Sequence, residues 1–361
     1  MLSGNRSLLM QNSELFDWKN SWAAYERDAT RLEADFRGRY TERRFDYLQP
    51  LHLQKEVPAR LRKAYQVAVA YTEWGARDAD LLICVGGVAN CAHRFHHLAA
   101  QLGNEFRVVC LDLIGRGRSG WLADQSEYCL ATYVEQLRQA VSHFGAQQVS
   151  ILGSSLGGTV AIVFAAQYPD LVSRLILNDT GPYIPAGRRR RRAETLARHY
   201  VFRTPAELLR KVGASQKNDG PVSEAARQYI THHQTRWSDA DMGRIYRCDP
   251  RALLAYRAEA HRNVNVWPEW QRLSQPVLVL HGEESDALLP PTLRRMRRRA
   301  GVQVIDIPHT GHTPALDNPE HADMIRSWLH VAGDTVANRI TTTVRSSAEL
   351  CGKRADPVSR G

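Results

Sequence analysis

The chain has 361 residues and a formal net charge of +10 at pH 7, with 43% hydrophobic and 24% charged residues. This composition is typical of globular proteins and excludes a largely disordered chain. The longest apolar stretch, Val160–Ala166, is well short of the roughly 18 residues that span a bilayer, so no transmembrane helix is expected. At about 100–200 residues per domain, the length predicts two structural units or one core with an insertion.

Residues 1–60 are polar and predict a helix-prone N-terminal extension, in which Trp18, Trp22 and Tyr25 recur at helical spacing. The first residues lack the apolar segment and small-residue cleavage site of a secretory signal. No pair of the six cysteines has the close spacing of a zinc or dithiol motif. We therefore expect the protein in a reducing compartment, the cytoplasm.

From residue 61 onward, strand-like and helix-like segments alternate along the chain. The alternation at 67–72 predicts a strand, and short apolar runs predict further strands at 81–85, 106–113, 148–152, 171–177, 276–280 and 302–307. Segments of helical pattern predict helices at 92–102, 127–144, 156–168, 291–300 and 318–331. This alternation predicts an α/β fold with a mostly parallel sheet and helices on both of its faces.

The alternation is interrupted at 183–268, which is polar, helix-prone and rich in Arg, Tyr and His. We interpret that segment as a helical insertion, so the α/β core is predicted to comprise 61–182 and 269–332. The remaining residues, 333–361, are rich in Thr, Ser and Arg and predict a flexible C-terminal tail.

The clearest chemical motif is Gly-Ser-Ser-Leu-Gly at 153–157, which fits the pattern G-x-S-x-G with Ser155 at its centre. A predicted buried strand leads into it and a predicted helix leads out. Such a tight turn needs small neighbours, which Gly153, Gly157 and Gly158 provide. The turn would lift the Ser155 hydroxyl to the carboxyl edge of the sheet, where open α/β sheets bind ligands. We predict Ser155 as a catalytic nucleophile.

A serine hydroxyl needs a base within hydrogen-bond reach to act as a nucleophile. His312 stands in the sequence Thr-Gly-His-Thr-Pro, directly after the last predicted strand. The glycine and proline of this sequence favour a loop from which the imidazole can project. We predict His312 as the catalytic base.

The base in turn needs a carboxylate that fixes its tautomer and stabilises the imidazolium. Asp286, shortly after the strand at 276–280, is the predicted catalytic acid. Glu283 and Glu284 are alternatives that lie nearer the strand end. Asp179, which follows the preceding predicted strand, is a further alternative.

A tetrahedral intermediate needs preorganised N–H donors for its negative oxygen. We predict that the backbone N–H of Leu156, directly after the nucleophile, is one donor of this oxyanion hole. The second is expected in the glycine-rich turn after the strand at 81–85, where Gly87 is the first candidate and Val88 the second.

With these motifs the sequence resembles the α/β-hydrolase family over roughly residues 65–332. Five segments carry the resemblance in the family's order: VGGVAN (85–90), DLIGRGRSGW (112–121), GSSLGG (153–158), HGEESDAL (281–288) and TGHTPAL (310–316). The resemblance implies that 183–268 is a helical cap, as in esterase-like members. Val85 stands where many relatives have histidine, but the oxyanion donors are backbone groups, so we expect activity to survive.

The resemblance implies a serine hydrolase that cleaves a carboxylic ester or related acyl bond through an acyl-enzyme, with no metal or organic cofactor. A small-molecule ester or acyl compound would be its substrate. A lactonase, a carbon–carbon hydrolase or an acyltransferase would use the same residues, so the fold alone does not choose among them. A non-catalytic binding scaffold is the alternative from outside the enzymes.

Two arginine runs, Arg188–Arg192 and Arg294–Arg299, supply much of the positive charge. Runs of this kind are most often solvated faces, and we expect that of both. No nucleic-acid-binding motif accompanies them, so no nucleic-acid partner is expected. Weak contact with anionic surfaces is compatible with the charge.

Overall fold

The structure is a computed structural model that describes residues 20–196, 200–215, 219–220 and 222–331. Trp18 and the predicted C-terminal tail at 333–361 lie outside these residues.

The described residues contain twelve strands: β1 (Tyr40–Gln49), β2 (Tyr65–Trp74), β3 (Leu81–Val85), β4 (Arg107–Leu111), β5 (Val149–Ser154), β6 (Val172–Asn178), β7 (Tyr183–Ile184), β8 (Thr235–Ser238), β9 (Gly243–Tyr246), β10 (Val264–Asn265), β11 (Val277–Gly282) and β12 (Val302–Ile307).

The helices are α1 (20–34), α2 (His96–Leu102), α3 (Leu130–Phe144), α4 (Leu156–Gln167), α5 (Ala186–Leu196), α6 (Pro205–Ser215), α7 (Glu224–Gln234), α8 (Pro250–Glu259), α9 (Trp267–Arg272), α10 (Pro290–Met296) and α11 (Pro319–His330). Within the described part of the chain, no helix is both long enough and apolar enough to cross a membrane.

Eight of the strands form one sheet in the order β1-β2-β4-β3-β5-β6-β11-β12. The pairs β1–β2 and β2–β4 are antiparallel, and every other neighbouring pair is parallel. The predicted fold class, a mostly parallel sheet with helices on both faces, is confirmed. In this topology β3, β5, β6, β11 and β12 all end at one edge of the sheet, where the candidate site lies.

The sheet has an apolar layer on each face because neighbouring residues of a strand point to opposite sides. In β3, Ile83 belongs to one apolar cluster with Leu137 of α3 and Ile162 of α4. The preceding residue, Leu82, belongs to a second apolar cluster, on the opposite face of the sheet, together with Trp328 of α11. Both strand residues are fully buried, which explains why this strand is a continuous apolar run rather than an alternating one.

The prediction of a helix-prone extension over 1–60 is wrong at positions 40–49, where β1 forms. This strand pairs with β2 along its whole length, from Tyr40 opposite Trp74 to Gln49 opposite Tyr65. Alternate residues of its second half, such as Phe45, are buried against the sheet. The sheet therefore begins some twenty residues before the predicted core boundary.

The segment 183–268 lies between β6 and β11, two strands that are neighbours in the sheet. It contains the helices α5 to α8, and it also contains two small antiparallel sheets, β7–β10 and β8–β9. The helices agree with the predicted helical insertion, whereas the two small sheets were not predicted. Helix α1 packs against this segment, since Trp22 shares an apolar cluster with Phe202.

Candidate active site

The turn between β5 and α4 holds Ser155 in a strained conformation. The backbone of Ser155 has φ 52° and ψ −116°, a region that residues with a side chain rarely adopt. Its glycine neighbours are required by close backbone contacts. A Cβ atom on Gly157 would lie 2.2 Å from the Val85 carbonyl oxygen, and one on Gly153 would lie 2.5 Å from the Gly158 Cα. The turn therefore has the shape that G-x-S-x-G predicts.

His312 lies in the loop between β12 and α11, next to Ser155. Its Nε2 is 3.0 Å from the Ser155 Oγ. Two hydrogen bonds hold this loop against the rest of the site. Arg94 donates to the carbonyl of the residue after His312 at 2.8 Å, and Asn178 Nδ2 donates to the Pro314 carbonyl at 2.9 Å. The structure thus brings together the predicted nucleophile and the predicted base.

The carboxylate beside His312 belongs to Asp179, the first residue after β6. Its Oδ2 is 2.8 Å from His312 Nδ1. The same carboxylate accepts hydrogen bonds from the Ser285 hydroxyl at 2.5 Å and from the Gly282 N–H at 3.2 Å. The side chain of Asp179 is fully buried, so these three donors replace the water that a carboxylate would otherwise bind. They also fix its orientation toward the imidazole.

The prediction that Asp286 is the acid partner of His312 is wrong. The side chain of Asp286 is 57% exposed and pairs with Arg188, whose Nε is 3.3 Å from Asp286 Oδ1. The reason is the turn that follows β11, in which the Ser285 N–H bonds the Gly282 carbonyl at 2.9 Å. This turn directs Ser285 inward and leaves the next residue at the surface. Asp179, the alternative from the preceding strand, occupies the position against the imidazole.

The electrostatics of the site favour a neutral imidazole. Burial lowers the pKa of His312, and its hydrogen bond to Asp179 acts in the opposite direction. The nearby guanidinium groups of Arg188 and Arg192 lower the pKa further, because a second positive charge is unfavourable beside them. The net shift is downward, so at neutral pH His312 is in the form that can accept a proton.

The two predicted oxyanion donors lie close to Ser155. Leu156 begins α4, where the first N–H groups of a helix have no partner within the helix. Gly87 lies in the turn after β3, and a Cβ built on it would be 3.3 Å from the Ser155 Cβ. Among the described residues, no hydrogen-bond acceptor lies against the backbone N–H of Leu156, Gly87 or Val88. The structure therefore keeps both candidates for the second donor open.

A cavity of about 270 Å³ opens beside Ser155. Its walls include apolar side chains from the core and from the segment 183–268, among them Val88, Tyr256 and Val266. A larger cavity of about 620 Å³ lies between α1 and the β8–β9 hairpin, but neither Ser155 nor His312 lines it. In the ranges that the structure covers, no three His, Cys, Asp or Glu side chains are grouped to hold a metal ion.

Comparison with known families identifies the fold. The sequence profile described as alpha/beta hydrolase fold matches residues 80–319. The chain belongs to the α/β-hydrolase family. The resemblance noted from the sequence is therefore confirmed, and the site at the end of β5 lies where this fold carries its chemistry.

Individual relatives agree with the family. The chain is 29% identical over 262 residues to the 3-hydroxybutyrate-oligomer hydrolase of Cupriavidus necator, an alignment that covers 70% of this chain and 89% of that protein. Among solved structures, a putative hydrolase from Rickettsia typhi superimposes with a TM-score of 0.71 at 23% identity, covering 80% of this chain and 98% of the other. An α/β hydrolase from Novosphingobium aromaticivorans has a TM-score of 0.66 at 25% identity, covering 81% and 98%.

Proposed function

We propose that this α/β hydrolase cleaves a carboxylic ester by nucleophilic catalysis, with Ser155 as nucleophile, His312 as base and Asp179 as acid. One observation carries the proposal: the imidazole of His312 lies between Ser155 Oγ, 3.0 Å from Nε2, and Asp179 Oδ2, 2.8 Å from Nδ1. This arrangement supports passage of a proton from the hydroxyl to the imidazole and stabilisation of the imidazolium that forms.

In the first half of the reaction, Ser155 Oγ attacks the ester carbonyl carbon while His312 Nε2 takes the hydroxyl proton. The carbonyl oxygen becomes negative and is bound by the N–H of Leu156 and that of Gly87 or Val88. When the tetrahedral intermediate collapses, the bond to the alcohol oxygen breaks and the imidazolium gives that oxygen its proton. The products of this half are an acyl group on Ser155 and a free alcohol.

In the second half, water takes the place of the alcohol. His312 Nε2 removes a proton from the water, whose oxygen attacks the acyl carbon, and the same oxyanion donors bind the second tetrahedral intermediate. Collapse breaks the bond to Ser155 Oγ, which receives the proton from His312. The free acid leaves and the enzyme returns to its starting state. Neither half needs a cofactor.

We also propose a substrate class, short oligoesters of small hydroxy acids. The relative from Cupriavidus necator is named for hydrolysis of 3-hydroxybutyrate oligomers, and the alignment covers 89% of its length. The cavity beside Ser155, about 270 Å³, is slightly smaller than the roughly 300–1,000 Å³ typical of ligand pockets and suits a short acyl group. The segment 183–268 contributes walls to this cavity, so we propose that it serves as the cap that selects the substrate.

Activity measurements on purified protein test the proposal. Wild-type protein and Ser155→Ala are offered p-nitrophenyl butyrate and the linear dimer of 3-hydroxybutyrate, with release of p-nitrophenol and of free acid as readouts. We expect the wild type to hydrolyse both esters and the variant to lose at least about 10³-fold in rate. Equal rates for the two proteins would contradict the proposal. Transfer to an added alcohol that outcompetes water would identify an acyltransferase instead.

A further inference from the structure

The sequence suggested that the first arginine run, Arg188–Arg192, forms a solvated face. The structure shows that only part of it does. Helix α5 carries it, and the five side chains divide by their position around the helix. Arg190 and Arg191 are exposed. Arg189 is buried and donates to two backbone carbonyls at 2.6 and 2.7 Å. Arg188 and Arg192 are one helical turn apart, so they lie on the same face of α5, and both affect the pKa of the site imidazole.

Arg188 lines the cavity that contains Ser155, and only 11% of its side chain is exposed. Its single described hydrogen bond is the one from Nε to Asp286, at 3.3 Å. Because that carboxylate is 57% exposed, solvent screens the pair, and the bond uses only the Nε of the guanidinium. The two terminal nitrogens of Arg188 have no hydrogen-bond partner among the described residues. They are free to bind an anion in the cavity.

Arg192 lines a separate cavity of about 40 Å³ together with Asn90 of the turn after β3 and Thr313 of the loop that carries His312. Burial lowers the pKa of Arg192. Asp219 lies in the same cavity, but its carboxylate is paired with Arg94 at 3.0 Å. Within the described ranges the guanidinium of Arg192 makes no hydrogen bond. A second buried cation therefore lies near the site, and its counter-charge, Asp219, is shared with Arg94.

We propose that Arg188 binds a free carboxylate of the substrate, with the charge of Arg192 one helical turn away adding to the attraction, and that the enzyme therefore selects esters whose leaving alcohol is itself a carboxylic acid. This inference rests on the proposed function. A planar guanidinium binds a carboxylate through two parallel hydrogen bonds, and the interaction is strong where water is scarce. In a linear oligoester of hydroxy acids, the alcohol released from the last ester bond bears the terminal carboxylate. Neutral esters lack that group.

The test compares two substrates that differ only at the terminal carboxyl group: the free acid of the 3-hydroxybutyrate dimer, which carries a negative charge, and its neutral methyl ester, with cleavage of the internal ester bond followed in both. The readout is the ratio of kcat/KM for the free acid to kcat/KM for the methyl ester. We expect Arg188→Gln to lower this ratio by about tenfold or more, since a charge-assisted hydrogen bond is lost, and Arg192→Gln to lower it by a smaller factor, since only a nearby charge is lost. The exposed Arg190→Gln on the same helix is the matched control and should keep the wild-type ratio.

A second readout avoids the charged ester. Free 3-hydroxybutyrate should inhibit wild-type hydrolysis of p-nitrophenyl butyrate competitively, and the inhibition constant should rise about tenfold or more in Arg188→Gln. Arg188→Lys keeps the charge but not the paired donors, so it should recover part of the loss. A ratio and an inhibition constant that stay at wild-type values in both glutamine variants would overturn the assignment.

The two proposals fail in different ways. If the wild type hydrolyses neutral esters but does not prefer the free acid, the carboxylate assignment is wrong and the ester hydrolase proposal stands. If the wild type hydrolyses none of the esters, both are overturned. A parallel fall in kcat/KM for the two dimer substrates would also overturn the assignment, because it would show that the arginines only support the fold of α5.

Discussion

Asp179 Oδ2 lies 2.8 Å from His312 Nδ1, although 133 positions separate the two residues in the chain. The fold makes the contact because Asp179 directly follows β6, while the loop after β12 carries His312. Strand β11 lies between those two strands in the sheet, and its exit turn supplies the Ser285 hydroxyl and the Gly282 N–H that hold the carboxylate. The acid–base pair is therefore built from three strand ends rather than from one loop.

Replacing this carboxylate by an amide should nearly abolish activity. In Asp179→Asn the amide cannot stabilise an imidazolium and favours the wrong tautomer of His312, so we expect kcat for p-nitrophenyl butyrate to fall on the order of 10³–10⁴-fold. The matched variant is Asp286→Asn, which removes a solvent-exposed ion pair and should lower kcat less than tenfold. A larger loss of kcat in Asp286→Asn than in Asp179→Asn would contradict this assignment and indicate Asp286, the residue predicted from the sequence, as the acid.

The pH dependence of kcat/KM should report the lowered pKa of His312. Protonation removes the base, so activity falls as pH drops, and this fall should be centred below the usual histidine pKa of about 6.5. Arg188→Gln removes a positive charge that disfavours the imidazolium, so the pKa of His312 rises and the acid limb moves to higher pH. Arg190→Gln, with its exposed side chain, should not move the limb. A limb that shifts to lower pH in Arg188→Gln would contradict this electrostatic account.

A methyl group at Gly157 should disrupt the nucleophile turn. Its Cβ would lie 2.2 Å from the Val85 carbonyl oxygen, and backbone must shift to relieve that contact. We expect Gly157→Ala to lower the free energy of unfolding by about 1–3 kcal/mol and to reduce activity. Gly187→Ala is the control, because a Cβ on this glycine of α5 has no heavy atom within 4 Å and alanine favours a helix. Urea unfolding curves of the two variants that coincide would refute the prediction.

The sequence predicted most of the sheet because buried parallel strands are continuous apolar runs, such as Leu81–Val85, and glycines mark their exits. It also located Ser155 and His312, since one stands at a glycine-bounded strand-to-helix turn and the other in a loop after the last strand. The structure places these two side chains together, as expected. Their catalytic roles stay predictions until activity is measured.

The choice between Asp179 and Asp286 could not be made from the sequence. The two residues follow β6 and β11, neighbouring parallel strands, so both were expected at the same edge of the sheet. What separates them is the turn after β11, which depends on the backbone hydrogen bond from Ser285 to Gly282. The one available signal was position: Asp179 directly follows its strand, whereas Asp286 is four residues beyond the end of its own.

The first sheet strand was missed for a different reason. Residues 40–44 of β1 are polar and at least partly exposed, and only alternate positions from Phe45 onward are buried, as on an edge strand with one covered face. That alternation is too short to distinguish a strand here from a continuation of the helical pattern around Trp22. It could likewise not be predicted that Arg188 and Arg192 lie on the side of α5 that faces the site, because five consecutive arginines carry no periodic pattern.

The most direct test of the central claim is covalent labelling of the nucleophile. A fluorophosphonate forms a bond between its phosphorus and an activated serine oxygen with loss of fluoride, and peptide mapping by mass spectrometry locates the adduct. We predict one adduct on Ser155 in the wild type, none in Ser155→Ala, and labelling at least about 10²-fold slower in Asp179→Asn. An adduct on another serine, or labelling of the wild type no faster than of Ser155→Ala, would contradict the account.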